Sequence, residues 1–267
     1  MHTPRSALFV PADRPERHQK ALDSGTDAVI VDLEDAVAGS RKDEARQILV
    51  DTLSDRTGST GCLVRINSPL LDEGRADLAA VPRMRADGVV VPKADARSVE
   101  VAAAAGLPLV ALVETAAGIL DAAAIARHPA VDVLMLGPVD LSLELGVSMD
   151  ADGDPLATAR GLLVLAAAAG GIPGPLDGPC VQAKDPEALA VEIARARLLG
   201  FAGKSCIHPA QVEPVNVAFA PSEEEISWAN RVSGAYADAG DSGVVVLEGE
   251  MIDLPVVLRA RRIIERV

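Results

Sequence analysis

The sequence predicts an α/β fold, a (β/α)8 TIM barrel followed by a C-terminal helical extension, and three observations carry that expectation. The first is length. A chain of 267 residues is long for one ordinary domain but normal for a single α/β barrel. The second is rhythm. Short β-branched apolar runs alternate with Ala-rich amphipathic stretches, and near-continuous apolar strands belong to parallel sheets covered on both faces. The third is the placement of charge. Strand after strand ends in a polar residue, and in a barrel those ends form the catalytic mouth. A doubly wound open sheet is the rival architecture.

Strands are expected at 6–11, 28–33, 63–67, 88–92, 107–113, 131–136, 171–176 and 201–207. The seventh of these is dense in Gly and Pro. Helical patterns lie between them, for example at 15–24, 42–53, 98–105, 119–127, 155–169 and 186–199. The polar strand ends are Asp32, Glu34 and Asp35; Arg65 and Asn67; Lys93; Glu114; Asp140; and His208. The barrel is expected over 1–210 and an extension over 211–267. Within the extension, helical stretches at 211–219 and 223–239 precede a Gly-containing turn with an apolar run at 243–247. Pro255 then suits the first turn of a final helix, with Asp253 near its N-cap. A tail of this length beyond a complete barrel suggests a lid or an oligomer contact.

Composition narrows the function classes. Hydrophobic residues make up 49% but aromatics only 2%, so Ala, Val, Leu and Ile must build the core. A net charge of −14 argues against nucleic acid, which needs a basic face. Cys62, Cys180 and Cys206 are odd in number and show no CxxC spacing, which argues against a disulfide framework or a zinc site and fits a reducing cytosol. No apolar run reaches membrane-spanning length without Gly, Pro or charge, and the N-terminal stretch lacks an adequate signal-peptide core. The expectation is a soluble, cytoplasmic protein without nucleic-acid or membrane partners.

Several of the strand-end residues could carry chemistry. Glu114 and Asp140 end adjacent predicted strands, and two carboxylates in a barrel mouth suit a hard cation such as Mg²⁺, which takes few protein ligands. Acids at strand ends also cap the helices that follow, so both explanations stand. Arg65 would be costly inside a barrel unless it met an anion. That anion is either a substrate oxygen or the acidic group of Asp32, Glu34 and Asp35. Arg14, Arg17, His18 and Lys20 follow the first strand and would attract phosphate, or else form a solvated helix start. No Walker loop and no GxGxxG follows a strand. Cys206 lies two residues from His208, and a core cysteine explains it better than a nucleophile.

These residues fall within a family pattern. The chain resembles the citrate lyase β-subunit-like branch of the HpcH/HpaI aldolase superfamily, the acyl-CoA lyases. The signposts are LFVPADRPER at 8–17, DLEDAV at 32–37, VRIN at 64–67, VPKA at 91–94, LVET at 112–115, GPVDL at 137–141, GKSCIHPAQV at 203–212 and EGEMIDLPV at 248–256. Each is weak alone; their order along nearly the whole chain carries the resemblance. It implies Glu114 and Asp140 as Mg²⁺ ligands and Arg65 as the residue that binds the substrate acid and stabilises an enolate. It implies Phe9, Arg14, Lys20, Ile207 and His208 around a coenzyme A thioester. Asp32, Glu34 and Asp35 would hold water outside the two ligands. Asp253 would be a lid aspartate that reaches a neighbouring subunit's site, in a homo-oligomer that is a trimer or hexamer.

The activity so implied is Mg²⁺-dependent cleavage of a 3-hydroxyacyl-CoA, of citramalyl-CoA or malyl-CoA type, to an α-keto acid and an acyl-CoA. Relatives often carry an acid before the metal-binding Asp, and this chain has Val139. GPVDLSLELG also resembles pyruvate-class aldolases that act on free hydroxy-keto acids. Those enzymes carry a His after the second strand, where this chain has DLED. Further alternatives are a citrate lyase β chain acting within a carrier-protein complex, and a thioesterase or synthase.

Overall fold

A computed structural model of the chain describes residues 3–54, 56–149, 153–238 and 244–265. Eight parallel strands form its frame: β1 (Ser6–Pro11), β2 (Ala28–Asp32), β3 (Gly61–Arg65), β4 (Gly88–Val91), β5 (Leu109–Val113), β6 (Val131–Leu136), β7 (Leu176–Asp177) and β8 (Gly203–Cys206). They close in sequence order, with Ser6 to Leu8 of β1 paired to Lys204 to Cys206 of β8. Closure excludes the open-sheet rival.

Between the strands run α1 (Pro15–Leu22), α2 (Lys42–Leu53), α3 (Asp72–Ala80), α4 (Ala96–Ala102), α5 (Ala116–Ala126), α6 (Pro138–Leu145), α7 (Ala157–Gly170) and α8 (Pro186–Leu199). Local chemistry sets their ends. Asp95 and Ser98 form a reciprocal capping box on α4. Asp185 caps α8, with Pro186 in its first turn and left-handed Gly200 at its end. The loop after β6 holds two helices, because Pro138 starts α6 and left-handed Gly146 stops it before α7 begins.

The seventh strand is a correction to the sequence expectation. It begins at Leu176 rather than near 171, because Gly171 is the left-handed cap that ends α7. Only Leu176 and Asp177 join the ladder, to Met135 on one side and to Gly203 and Lys204 on the other. A buried ionic cluster backs this short strand. Lys204 Nζ donates to Asp177 Oδ2 at 2.8 Å and to the Gly178 carbonyl at 2.6 Å, and lies 2.8 Å from Glu192 Oε2. Arg160 Nε donates to Asp177 Oδ1 at 3.1 Å. Burial works against the charge of Asp177, but Lys204 and Arg160 outweigh it and hold its carboxyl below the usual range.

Alternating strand residues fill the barrel. Ala7, Ala28, Ile30, Leu63, Val90, Val110, Leu112, Val133, Met135 and Leu176 form one buried cluster, with Phe9 packed against it. Cys62, Cys180 and Cys206 are free and buried, and burial pushes the Cys206 thiol up to about 12. Among the described residues, no helix is long and apolar enough to cross a membrane.

The chain divides into two compact units, Met1–Asn216 and Val217–Val267. After β8 come α9 (Val212–Phe219), α10 (Glu223–Asp238), β9 (Val245–Leu247), β10 (Glu250–Ile252) and α11 (Leu254–Ile264). Positions 239 and 243 of the predicted helix and turn lie outside the described residues. In the second unit β9 and β10 pair antiparallel around Glu248 and Gly249, both at positive φ, as a two-residue hairpin turn requires. Ala229, Val232, Ile252, Val257 and Ala260 form its core. Asp253 caps α11, its carboxylate accepting from the Val256 amide, and Pro255 stands in the first turn.

Candidate active site

Side chains alternate across a strand, so the inward row of each strand can be extended to its end. Ala28 and Ile30 lead to Asp32, Leu63 leads to Arg65, and Val110 and Leu112 lead to Glu114. All three polar residues line a cavity of about 490 Å³ at the strand ends. Phe9, Met135, Asp140, Ser205 and Ile207 line it as well. The period of two therefore delivers a cation and two carboxylates into one space, on top of an aliphatic core.

Arg65 meets its anion within the chain. Its Nε donates to Asp32 Oδ1 at 2.7 Å and its Nη2 to Asp32 Oδ2 at 2.6 Å. Its Nη1 lies 3.2 Å from Glu34 Oε2 and 3.6 Å from Asp35 Oδ2. Burial works against its charge, but Asp32 with the other two acids outweighs it and raises its pKa. The guanidinium also stands 5.1 Å from the Phe9 ring centroid. Of its five N–H donors, Asp32 takes two, which leaves others free for a ligand in the cavity that Arg65 lines. The acidic group is thus the partner of Arg65, and Arg65 still lines the space a substrate would enter.

Glu114 is 2% exposed. Its Oε1 accepts the Lys93 amide at 2.8 Å. Burial, with Glu34 and Asp140 nearby, pushes its carboxyl up to about 7. Glu114 does not cap the following helix, because Thr115 does so by accepting the Gly118 amide at 3.0 Å. The capping explanation therefore fails for Glu114. Asp140 falls in the first turn of α6, four residues beyond the end of β6. A buried carboxylate that its surroundings oppose as an anion, beside a second carboxylate, is an oxygen-only donor set that a hard divalent cation would stabilise. Among the described residues, no group of three His, Cys, Asp or Glu side chains could hold a metal ion, so the protein's share would be this pair.

Gly137 makes room for Glu114. A Cβ at that position would lie 2.4 Å from Glu114 Cβ and 2.5 Å from Glu114 Oε2. Gly137→Ala must displace the Glu114 side chain. We expect it to weaken divalent-cation binding by about 10- to 100-fold, the usual cost of disturbing what orients a metal ligand. Calorimetric titration checks this, and wild-type affinity would show that Glu114 is not held there for an ion.

The structure places the other candidate residues less closely. Arg14 and Lys20 are exposed and stand outside the cavity lining, whereas Arg17 contributes to it. His18 is a correction. It is buried, with Nε2 bonded to the Pro11 carbonyl at 3.0 Å, and burial lowers its pKa, so it adds no charge to the basic group around it. Ile207 is 42% exposed at the cavity edge, and His208 turns Nδ1 to the Ala210 amide at 3.1 Å. Asp253 belongs to the second unit, where it caps α11.

Two lysines acquire roles that spacing does not reveal. Lys93 Nζ binds Glu34 Oε1 at 2.9 Å while its amide holds Glu114. Lys42, from α2, donates to the Leu33 carbonyl at 2.7 Å and to the Glu34 carbonyl, which anchors the acidic turn from outside the barrel. Lys93 was visible as one more polar strand end. Lys42 has no sequence signal, because its role depends on where α2 packs.

A family model described as HpcH/HpaI aldolase/citrate lyase matches residues 5–209. A (3S)-malyl-CoA thioesterase of Cereibacter sphaeroides is 39% identical over 98% of this chain and 93% of its own length. A citrate lyase subunit beta-like protein of Mycobacterium tuberculosis is 38% identical over 97% of this chain and 94% of its own. Among solved structures, CitE from Mycobacterium tuberculosis, in complex with magnesium, acetoacetate and coenzyme A, superposes with a TM-score of 0.81. It is 36% identical and covers 98% of this chain and 97% of that one.

Proposed function

Because the chain belongs to the HpcH/HpaI aldolase/citrate lyase family, we propose that it is a Mg²⁺-dependent enzyme that cleaves a carbon–carbon bond in a small 3-hydroxyacyl-CoA. The observation that carries this is the buried Glu114 beside Asp140 in a cavity shared with Arg65. The magnesium in the related CitE structure supports a magnesium ion here, and the coenzyme A there supports a thioester substrate. Bound between Glu114 and Asp140, the ion would supply Lewis acidity toward a hydroxyl or carbonyl oxygen.

The residues divide the remaining work. Arg65, positioned by Asp32, would bind the substrate carboxylate and stabilise charge as it develops on the enolate oxygen. Asp32, Glu34 and Asp35 surround Arg65 and would organise water outside the two ligands. In cleavage, water held by the acidic group would take the 3-hydroxyl proton as the base, the C2–C3 bond breaks and C3 becomes the keto carbonyl. The electron pair passes to the thioester enolate, which takes a proton at C2. We assign that proton transfer to Asp253 of a neighbouring copy, with 211–267 acting as the lid of a trimer or hexamer. Phe9, Ile207 and His208 would border the thioester arm, and the exposed Arg14 and Lys20 would meet its phosphates.

A second reading has its own support. The relatives named (3S)-malyl-CoA thioesterase favour hydrolysis, in which water attacks the thioester and C2–C3 stays intact. One experiment separates the two. The purified protein is incubated with citramalyl-CoA and malyl-CoA, with Mg²⁺ and with EDTA, and products are read by mass spectrometry. Keto acid plus acyl-CoA, formed only with Mg²⁺, establishes the lyase. Hydroxy acid plus free coenzyme A establishes the thioesterase. Activity only on a free hydroxy-keto acid moves the chain to the aldolase branch and removes Arg14 and Lys20 from the site. Activity only on a carrier-bound thioester points to a subunit of a larger complex. In the same assay Asp253→Ala should lower turnover by about 100-fold or more while Mg²⁺ affinity holds, as loss of a general acid does. Unchanged turnover removes Asp253 from the mechanism.

A further inference from the structure

Lys93 touches two of the mouth's carboxylates through two different donors, and the proposed chemistry leaves it unused. Its backbone is left-handed, with φ at 46°, which few lysines adopt. That turn aims its amide at Glu114 Oε1, 2.8 Å away. Its ammonium lies 2.9 Å from Glu34 Oε1 and 3.9 Å from Glu114 Oε1. Among the acids of the mouth, Glu34 is the next most buried after Asp32, which Arg65 holds with two bonds, and Glu114. Its Oε2 has no hydrogen-bond partner, and Arg65 Nη1 lies 3.2 Å from it without alignment. Without the ammonium, Glu34 would be a second buried carboxylate left near Glu114, and hard cations recruit such groups.

On the magnesium reading above, we propose that Lys93 is a positioning residue that sorts the carboxylates of the mouth: its amide fixes Glu114 as a cation ligand, and its ammonium keeps Glu34 out of the ligand set. Ion selectivity follows. Two carboxylates and water suit Mg²⁺, which keeps much of its hydration. A third carboxylate suits Ca²⁺, which takes about 6 to 8 oxygen ligands in flexible geometry. Lys93 therefore biases the mouth toward the smaller ion without touching it.

The test is calorimetric titration of the full-length protein and its variants with MgCl₂ and with CaCl₂. Lys93→Met keeps the amide and removes the charge. Lys93→Gly does the same and suits the left-handed backbone, so it serves if the Met variant misfolds. In either, Ca²⁺ affinity should rise relative to Mg²⁺ affinity by about 10-fold. Lys93→Arg should stay near the wild-type ratio, and adding Glu34→Gln to Lys93→Met should restore it. A wild-type ratio in Lys93→Met and Lys93→Gly overturns the inference and leaves the magnesium reading intact. A shift that Glu34→Gln does not reverse also overturns it. A wild-type protein that binds neither ion overturns the magnesium reading, and this inference with it.

Discussion

Glu114→Gln is expected to lower Mg²⁺ affinity by about 100-fold or more and to remove turnover with it. Loss of a group that only supports a ligand already costs about 10- to 100-fold, so loss of a ligand's charge should cost at least the upper figure. The substitution is chosen for its shape. Gln keeps an oxygen for the Lys93 amide and fits the space against Gly137. The metal-free variant should therefore melt no lower than the wild type, since it replaces a carboxyl that burial disfavours as an anion with a neutral amide. Calorimetry and thermal melting check the two halves separately. Loss of metal binding with unchanged melting supports Glu114 as a ligand. Unchanged binding removes it, whatever happens to activity. A large fall in melting temperature would mean that the charge serves the fold instead.

Lys204→Met should be the most damaging change to stability. Lys204 is 1% exposed and faces Asp177, Glu192 and the Gly178 carbonyl. Met fills a similar volume but leaves buried Asp177 and half-buried Glu192 short of a cation. Breaking a buried pair from one side costs about 3 to 5 kcal/mol. For a unit of this size that is a fall in melting temperature on the order of 10 °C. A change below about 1 kcal/mol in urea unfolding would show that Arg160 alone neutralises the cluster. The pH dependence has a definite sign. The folded value of Asp177 lies below its ordinary 3.8, so its charge stabilises the fold above that value. The contribution disappears as pH falls through the lower, folded value. Wild-type protein should lose stability on acidification in this window, and Lys204→Met should show a weaker dependence there.

Much of the site was legible because the barrel has a simple period. Asp32, Arg65 and Glu114 each stand two residues beyond an apolar residue of the barrel interior, so the alternation that packs the core also aims them into the mouth. Asp140 was legible only as an acid near a strand end, because Pro138 turns the chain into α6 before it. What that alternation does not carry is partnership. Whether Arg65 meets a substrate or Asp32 depends on the register of β2 and β3, which sets the two residues opposite each other and their side chains 2.7 and 2.6 Å apart. His18 shows the limit most directly. As a letter between Arg17 and Gln19 it belongs to a basic helix start, but the helix turns it inward to the Pro11 carbonyl and burial takes its charge away.

By itself, the sequence determined the alternation of parallel strands and helices, most strand and helix boundaries, the capped final helix and the carboxylate and guanidinium strand ends. These rest on local periodicity and on cap and turn chemistry, which neighbouring letters contain. Only the tertiary structure decided that the sheet closes, that β7 starts at Leu176, and that Asp177, Lys204, Arg160 and Glu192 form one ionic cluster. It also decided that Lys93 holds Glu34 and Glu114 at once. Those facts join residues tens of positions apart, and charges buried together interact through distances that no spacing along the chain encodes.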